Sequence, residues 1–321
     1  MPTPTRPTSA RRSRLCALRF DYKIYGLTLG ADRRLPHLAR ERSASELRDV
    51  DVRFDSPDGE APLETVTYGD AAAALQFAIS RDGRRLWVDW LGAPPARSVT
   101  DATGLLAGPV LGGLLWTKEA IGLHGSVVAI ENRAVALLAH RGLGKSTLAA
   151  GLAARGHAVL SDDVAAITKG TCGRWWAQPG YPRLRLEPGM ITMSRAADAG
   201  PVLTGSDKRY VGLSMRASAR AWRFGAEPLP LAAVYELRRL PELARPSTAP
   251  VSGAERAALL LRHVRPRVLP RDSDAAVRDF SRLGRLASAV PVRRLELPDR
   301  LTSVDAACGT LVDDALALAA A

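Results

Sequence analysis

The stretch AHRGLGKST, Ala139 to Thr147, decides the reading of this chain because of what stands on either side of it. Residues 135–139 are all apolar, as a buried strand should be, and residues 148–155 continue in helix formers up to Gly156, where a helix usually stops. A glycine-rich turn that opens a helix aims backbone N–H groups at a bound anion, and the helix dipole adds to that field. Arg141, Gly142, Leu143, Gly144, Lys145, Ser146 and Thr147 therefore read as a cradle for the phosphates of a nucleoside triphosphate. In it Lys145 neutralises the β- and γ-phosphates and the Ser146 hydroxyl holds Mg²⁺. The general pattern asks for glycine at position 139, where this chain has Ala139. Alanine fits there with a negative φ and clashes with a positive one.

One helix and one short strand further on, the chain runs into Ser161-Asp162-Asp163. Adjacent acids on a strand point to opposite faces, so the pair divides its labour. One approaches Mg²⁺ and the other accepts the proton of an attacking hydroxyl. A turn-forming Asp-Asp pair is the bland alternative. The position just after a phosphate loop, helix and strand favours the chemical one.

LHGSVVAIENRAVALLAHRGLGKSTLAAGLAARGHAVLSDDVAAI, Leu123 to Ile167, resembles the catalytic core of HPr kinase/phosphorylase. Within that superfamily it is most similar to the HPr-kinase-related kinases of ribosomally made peptide clusters, including those that tailor lasso peptides. The pattern Leu-His-(Ala/Gly)-Ser, hairpin, phosphate loop, helix, Arg-Gly-(His/Tyr), strand, Asp-Asp occurs here in order. Looser likeness extends to Pro182-Arg183-Leu184-Arg185-Leu186, to Asp207-Lys208-Arg209-Tyr210, to Val290-Pro291-Val292, and to IYGLTLGADRRLPHL from Ile24 to Leu38.

The resemblance implies an α/β fold: a P-loop kinase core of HPr kinase/PEP carboxykinase type, a mixed sheet with flanking helices, plus an N-terminal β-rich domain. It implies ATP and Mg²⁺, with Asp163 as general base and Asp162 beside Ser146 on the metal; the reverse assignment of the two aspartates stays open. His124 would orient phosphate or Asp163, and Lys208 would reach phosphate from across the cleft. The expected activity is that of an ATP-dependent serine kinase acting on a peptide or protein, foremost a ribosomally made precursor peptide. Two alternatives remain: an ATP-binding module without turnover, and a kinase of a small hydroxylated metabolite. The long Gly-rich signature L-E-I-R-G-x-G of bifunctional HPr kinases is replaced here by Leu184-Arg185-Leu186-Glu187-Pro188-Gly189. Phosphorolysis and HPr itself are therefore not expected.

Composition sets bounds. At 321 residues with 46% hydrophobic content and a mean hydropathy of −0.05, the chain can bury a sizeable core. The apolar run of residues 104–116 contains Pro109 and is too short to span a bilayer, so no membrane partner is expected. Three widely spaced cysteines with no CxxC suggest neither a disulfide framework nor a zinc site, which fits a cytoplasmic chain. Net charge is +12, with only five lysines among 45 basic residues. The arginines are scattered and several stand beside acids, so nucleic acid is not the expected partner; a basic surface equally attracts an acidic peptide. A homo-oligomer is left open.

Along the chain, residues 1–16 read as a disordered basic tail, 17–98 as a β-rich substrate domain, and 99–321 as the catalytic domain. Strands are expected over 17–29, 50–54, 74–80 and 85–91, with a tight turn at Asp82-Gly83 and a break at 92–95. A helix over 101–121 is expected to kink at Pro109. A core strand is expected at 231–238. Helices follow at 254–264, 274–289 and 304–320, with Ser273 and Ser303 as N-caps.

Overall fold

The structure is a computed structural model that describes residues 20–38, 48–55, 57, 61–70, 73–92, 98–194, 198–215, 221–266, 268–270 and 272–320. The basic tail, Cys16 and most of the expected break at 92–95 lie outside the described residues. The fold is mixed α/β, built on several sheets.

Strands β1 (Phe20–Ile24), β2 (Leu27–Ala31), β3 (Val50–Arg53), β4 (Glu64–Asp70), β5 (Ala73–Ile79) and β6 (Arg85–Gly92) form a first sheet in the order β1-β2-β3-β6-β5-β4. The single strand expected over 17–29 is in fact a hairpin. Tyr25 and Gly26 both take positive φ, 57° and 78°, which matches a two-residue turn. A tyrosine in that conformation gives no turn signal in sequence. Gly83, at φ 65°, closes the expected turn between β5 and β6, its N–H on the Ser80 carbonyl at 2.9 Å.

Ser98 caps the next helix through a reciprocal pairing with Asp101. Helical structure then runs from Val99 to Lys118 as α1 (Val99–Leu105), a π turn (Leu106–Val110), α2 (Leu111–Leu114) and a 3₁₀ turn (Leu115–Lys118). The bend expected at Pro109 is accommodated as this widened turn, because proline has no N–H to keep the regular ladder. The segment ends earlier than expected: Glu119, at φ 59°, turns the chain into β7 (Ile121–Leu123). At 20 residues it is long and apolar enough to cross a membrane by those measures alone, yet 83% of its most apolar window is buried inside the protein. It is a core helix.

Next come β8 (Gly125–Ile130), β9 (Arg133–Leu138), α3 (Lys145–Ala154), β10 (Val159–Ser161), β11 (Ala165–Lys169) and β12 (Trp175–Gln178). A small four-stranded sheet follows from β13 (Arg183–Leu186), β14 (Asp198–Pro201), β15 (Arg209–Ser214) and β16 (Trp222–Arg223), with α4 (Pro188–Ser194) between β13 and β14. The chain closes with β17 (Leu229–Arg239), β18 (Ser247–Pro250), α5 (Glu255–Arg262), α6 (Ser273–Ala289), β19 (Val292–Leu297) and α7 (Val304–Ala320). The nine-stranded central sheet runs β10-β8-β9-β17-β12-β11-β7, with β19 parallel to the outer half of β17 and β18 beside β19. Strands β9, β17 and β19 are mutually parallel, so their carboxyl ends open on one edge.

Alternation along β9 assigns the layers. Ala134, Ala136 and Leu138 pack with Leu259, Leu260, Leu283 and Leu286 of α5 and α6. Val135, Leu137 and Ala139 pack on the other face with Leu148 and Leu152 of α3 and Leu311 of α7. A third core joins the first sheet to the helical segment, from Tyr22, Leu29 and Phe77 to Leu106, Val110 and Leu114. The N-cap of α6 is Asp272, which accepts from the Ala275 N–H at 2.6 Å, rather than Ser273. Just before α7, the Ser303 hydroxyl donates backward to the Arg300 carbonyl at 2.6 Å.

Candidate active site

The loop from His140 to Gly144 joins β9 to α3, and its backbone answers the question raised by Ala139. That residue is buried in the core under α3 and is absent from the positions with positive φ. Gly142 and Gly144 carry the left-handed geometry, at φ 86° and 97°, where a side chain would strain the turn. Helix α3 ends in the arrangement a C-terminal glycine permits. The Gly156 N–H meets the Ala153 carbonyl at 3.0 Å and the His157 N–H meets the Leu152 carbonyl at 3.1 Å.

Lys145 is buried, and its ammonium donates to the carbonyls of Ala139 at 2.7 Å and His140 at 3.3 Å. Burial pulls its pKa down, against the charges of Asp162 and Asp163. An ammonium with neutral carbonyls as its hydrogen-bond partners is a ready partner for an anion. Thr147 lies one residue beyond Ser146 in the first turn of α3, while Arg141 is exposed on the loop.

The two aspartates separate as expected of neighbours. Asp162 turns toward α3. Its Oδ1 accepts from Ser146 Oγ at 2.9 Å and Ser126 Oγ at 2.6 Å, and its Oδ2 accepts from the Arg185 backbone N–H at 2.9 Å. Asp163 sits at φ 75° and turns the other way. Its Oδ2 accepts from Arg185 Nη1 at 2.7 Å, Arg265 pairs with its Oδ1, and His124 Nδ1 stands 3.4 Å from that same oxygen. Burial alone would raise this carboxyl's pKa. Arg185, the His124 contact and Arg265 outweigh it and hold the group well below the usual carboxylate range.

The helical segment shapes the wall behind Asp163. Gly108, in the π turn, stands against both Asp163 and Arg185, and Arg185 Nη2 also donates to the Gly104 carbonyl at 3.2 Å. Behind them the Tyr25 hydroxyl donates to the Ala107 carbonyl at 2.7 Å, and the Tyr25 N–H to the Pro179 carbonyl at 2.6 Å.

The structure thus brings His124, Lys145, Ser146, Asp162 and Asp163 into one neighbourhood. Lys208 stands at its margin: it pairs with Glu187 at 3.2 Å, and its charge acts on Lys145. Sequence reasoning missed Arg185, Arg265 and Gly108 as parts of the site, and gave Ser126 no role. Arg183 and Arg185 share one face of a strand, a signal that was there to read. Arg265 follows α5 with no local mark of its purpose.

Among the described residues no group of three or more His, Cys, Asp and Glu side chains is placed to hold a metal ion. Ser146 and Asp162 offer one hydroxyl and one carboxylate side by side. That set suits Mg²⁺, which keeps its waters and takes most other ligands from phosphate.

No family model matches the chain, and no curated protein matches it. Among solved structures, it is similar to the Hpr(Ser) kinase/phosphatase from Coxiella burnetii at 10% sequence identity and a TM-score of 0.33, over 62% of this chain and 98% of that one.

Proposed function

We propose that the chain is an ATP-dependent kinase of Ser or Thr hydroxyls in a peptide or protein, with a ribosomally made precursor peptide as the foremost substrate class. The observation that carries this reading is the Ser146–Asp162 contact of 2.9 Å at the start of α3, beside a buried Lys145 and a glycine loop. Loop N–H groups and Lys145 would bind the polyphosphate. Ser146 and Asp162 would hold Mg²⁺, which neutralises charge on the phosphates when bound.

In the transfer, the acceptor oxygen forms a bond to the γ-phosphorus, the bond from that phosphorus to the β,γ-bridging oxygen breaks, and ADP leaves. Asp163 takes the hydroxyl proton. A low pKa does not disqualify it, since positioning and charge carry most of the rate in phosphoryl transfer. Arg185 and Arg265 flank the place where charge builds up, as an electrostatic clamp should. His124 orients Asp163.

One observation favours a second reading. Both Asp163 oxygens are engaged by arginines, which suits a module that holds ATP without turnover. Incubation of the full chain with γ-labelled ATP and candidate precursor peptides separates the two. Label on a peptide serine supports the kinase. Tight Mg·ATP binding with no label on any peptide, unchanged by Asp163→Asn, supports the module.

A further inference from the structure

Strand β9 leads into α3 on one face of the central sheet, whereas β17 leads through β18, in the same sheet, to α5 on the other face. Two neighbouring parallel strands whose connections depart to opposite faces leave a crevice outside their carboxyl ends, and ligands of α/β sheets favour such crevices. Here the crevice is an open cleft of about 540 Å³, running from Ala139 and His140 to the end of β17. Lys145, Ser146 and Thr147 do not line it, although the Lys145 ammonium sits on the carbonyls of the lining residues Ala139 and His140.

Its floor is already neutralised. Glu236 is buried and meets His263 Nε2 at 3.2 Å, Arg262 Nη2 at 3.2 Å and Arg294 Nε at 3.5 Å. Arg294 also pairs with Glu255. Burial would raise the Glu236 pKa, but these partners bring it down, so the carboxylate stays charged and paired. Four arginines face the two glutamates and Asp299, which pairs with Arg239 at 2.6 Å, so the lining stays positive by one charge, with Arg238 exposed at the rim and the exposed His140 ring 5.1 Å from that of His263. The cleft is also tied to the candidate chemistry. The His263 carbonyl accepts the His124 N–H at 2.6 Å, and the His124 ring stands against Asp163.

We propose that this cleft is an acceptor subsite that selects a peptide carrying acidic side chains beside its hydroxyl; the assignment rests on the kinase reading above. Its volume exceeds what one small ion fills, and its open mouth admits a chain. A surplus of arginine favours carboxylates, which it meets with paired donors.

The test uses the full chain with Mg·ADP and two synthetic peptides, a serine flanked by two glutamates on each side and its glutamine counterpart. Binding is read by calorimetry, and transfer from labelled ATP is read in parallel. The glutamate peptide is expected to bind about ten-fold more tightly at low salt, a preference that shrinks as salt screens it. Arg238→Glu should abolish the preference, and Arg262→Gln, which keeps a hydrogen-bonding group for Glu236, should reduce it. Equal binding of the two peptides, or a preference untouched by both substitutions, overturns the proposal. So does a fall in Mg·ADP affinity in Arg238→Glu as large as the fall in peptide affinity, which would assign the cleft to nucleotide. Selective binding without transfer refutes the kinase reading and leaves an acidic-peptide site standing.

Discussion

Gly108 leaves no room for a methyl group beside Asp163: a Cβ built on it would stand 2.9 Å from Asp163 Oδ2 and 2.8 Å from Arg185 Nη2. Both distances are shorter than real Cβ contacts allow, so the ends of the two side chains, paired at 2.7 Å, would have to shift. Alanine otherwise favours a helix over glycine. Gly108→Ala is therefore expected to keep Mg·ADP binding while phosphotransfer drops about 100-fold, the scale of a small misplacement at a reacting centre. Wild-type transfer in this variant would show that the Arg185–Asp163 contact is dispensable.

Lys145 and Asp163 should fail in different ways. Lys145→Ala removes the buried ammonium on the Ala139 and His140 carbonyls and is expected to weaken ATP binding. Asp163→Asn is expected to leave ATP binding in place and lower turnover by about 10²- to 10⁴-fold, as loss of an essential base does. Nucleotide titration and single-turnover transfer on both variants check this. Wild-type rates in either remove that residue from the mechanism.

The Ser146 hydroxyl donates to Asp162, at 2.9 Å from Oδ1 and 3.1 Å from Oδ2, so substitutions at the two positions should not add. Ser146→Ala and Asp162→Asn are each expected to weaken the Mg²⁺ dependence of ADP binding, and the double variant to be little worse than either alone. Independent, additive losses would mean that the two groups serve separate ends.

Stability should depend on acid through Asp163. Its folded-state pKa is depressed, so its contribution is fully present above the unfolded value of about 3.9 and is lost as pH falls through that value toward the folded one. The difference in denaturation midpoint between the wild-type chain and Asp163→Asn should be constant from about pH 7 to about pH 5 and narrow below about pH 4. A constant difference down to about pH 3 would mean that the carboxylate gains nothing from its arginines.

The local parts of this site were legible in sequence because each has its own signature. Residues 135–138 and 148–154 fall in β9 and α3 by apolar pattern, one residue short of each expected end, and Gly156 takes positive φ after the last turn. The late helices were legible for the same reason, to within a few residues. What stayed hidden is what only tertiary contact defines. Arg265 is distant in sequence from Asp163, and nothing around it announces the pairing. The clamp on α7 is of the same kind: Asp314 takes hydrogen bonds from Tyr235 at 2.5 Å, Thr248 at 2.8 Å and Arg293 at 2.6 Å, from three separate strands. Strand β2 was merged with β1 because a turn at Tyr25 breaks no hydrophobic pattern, whereas β4 was overlooked although Thr65, Val66, Thr67 and Tyr68 are strand formers.

Tyr25 changes what the six-stranded sheet is to the rest of the molecule. Its hydroxyl is anchored one residue from Gly108, and Gly180 is glycine where its ring passes, since a Cβ there would come within 2.4 Å of Tyr25 Cε1. The hairpin tip is thus a wedge driven in behind Asp163. Cutting the sheet away would pull the backing plate off the site. Conversely, anything that tilts the sheet has a lever on Asp163.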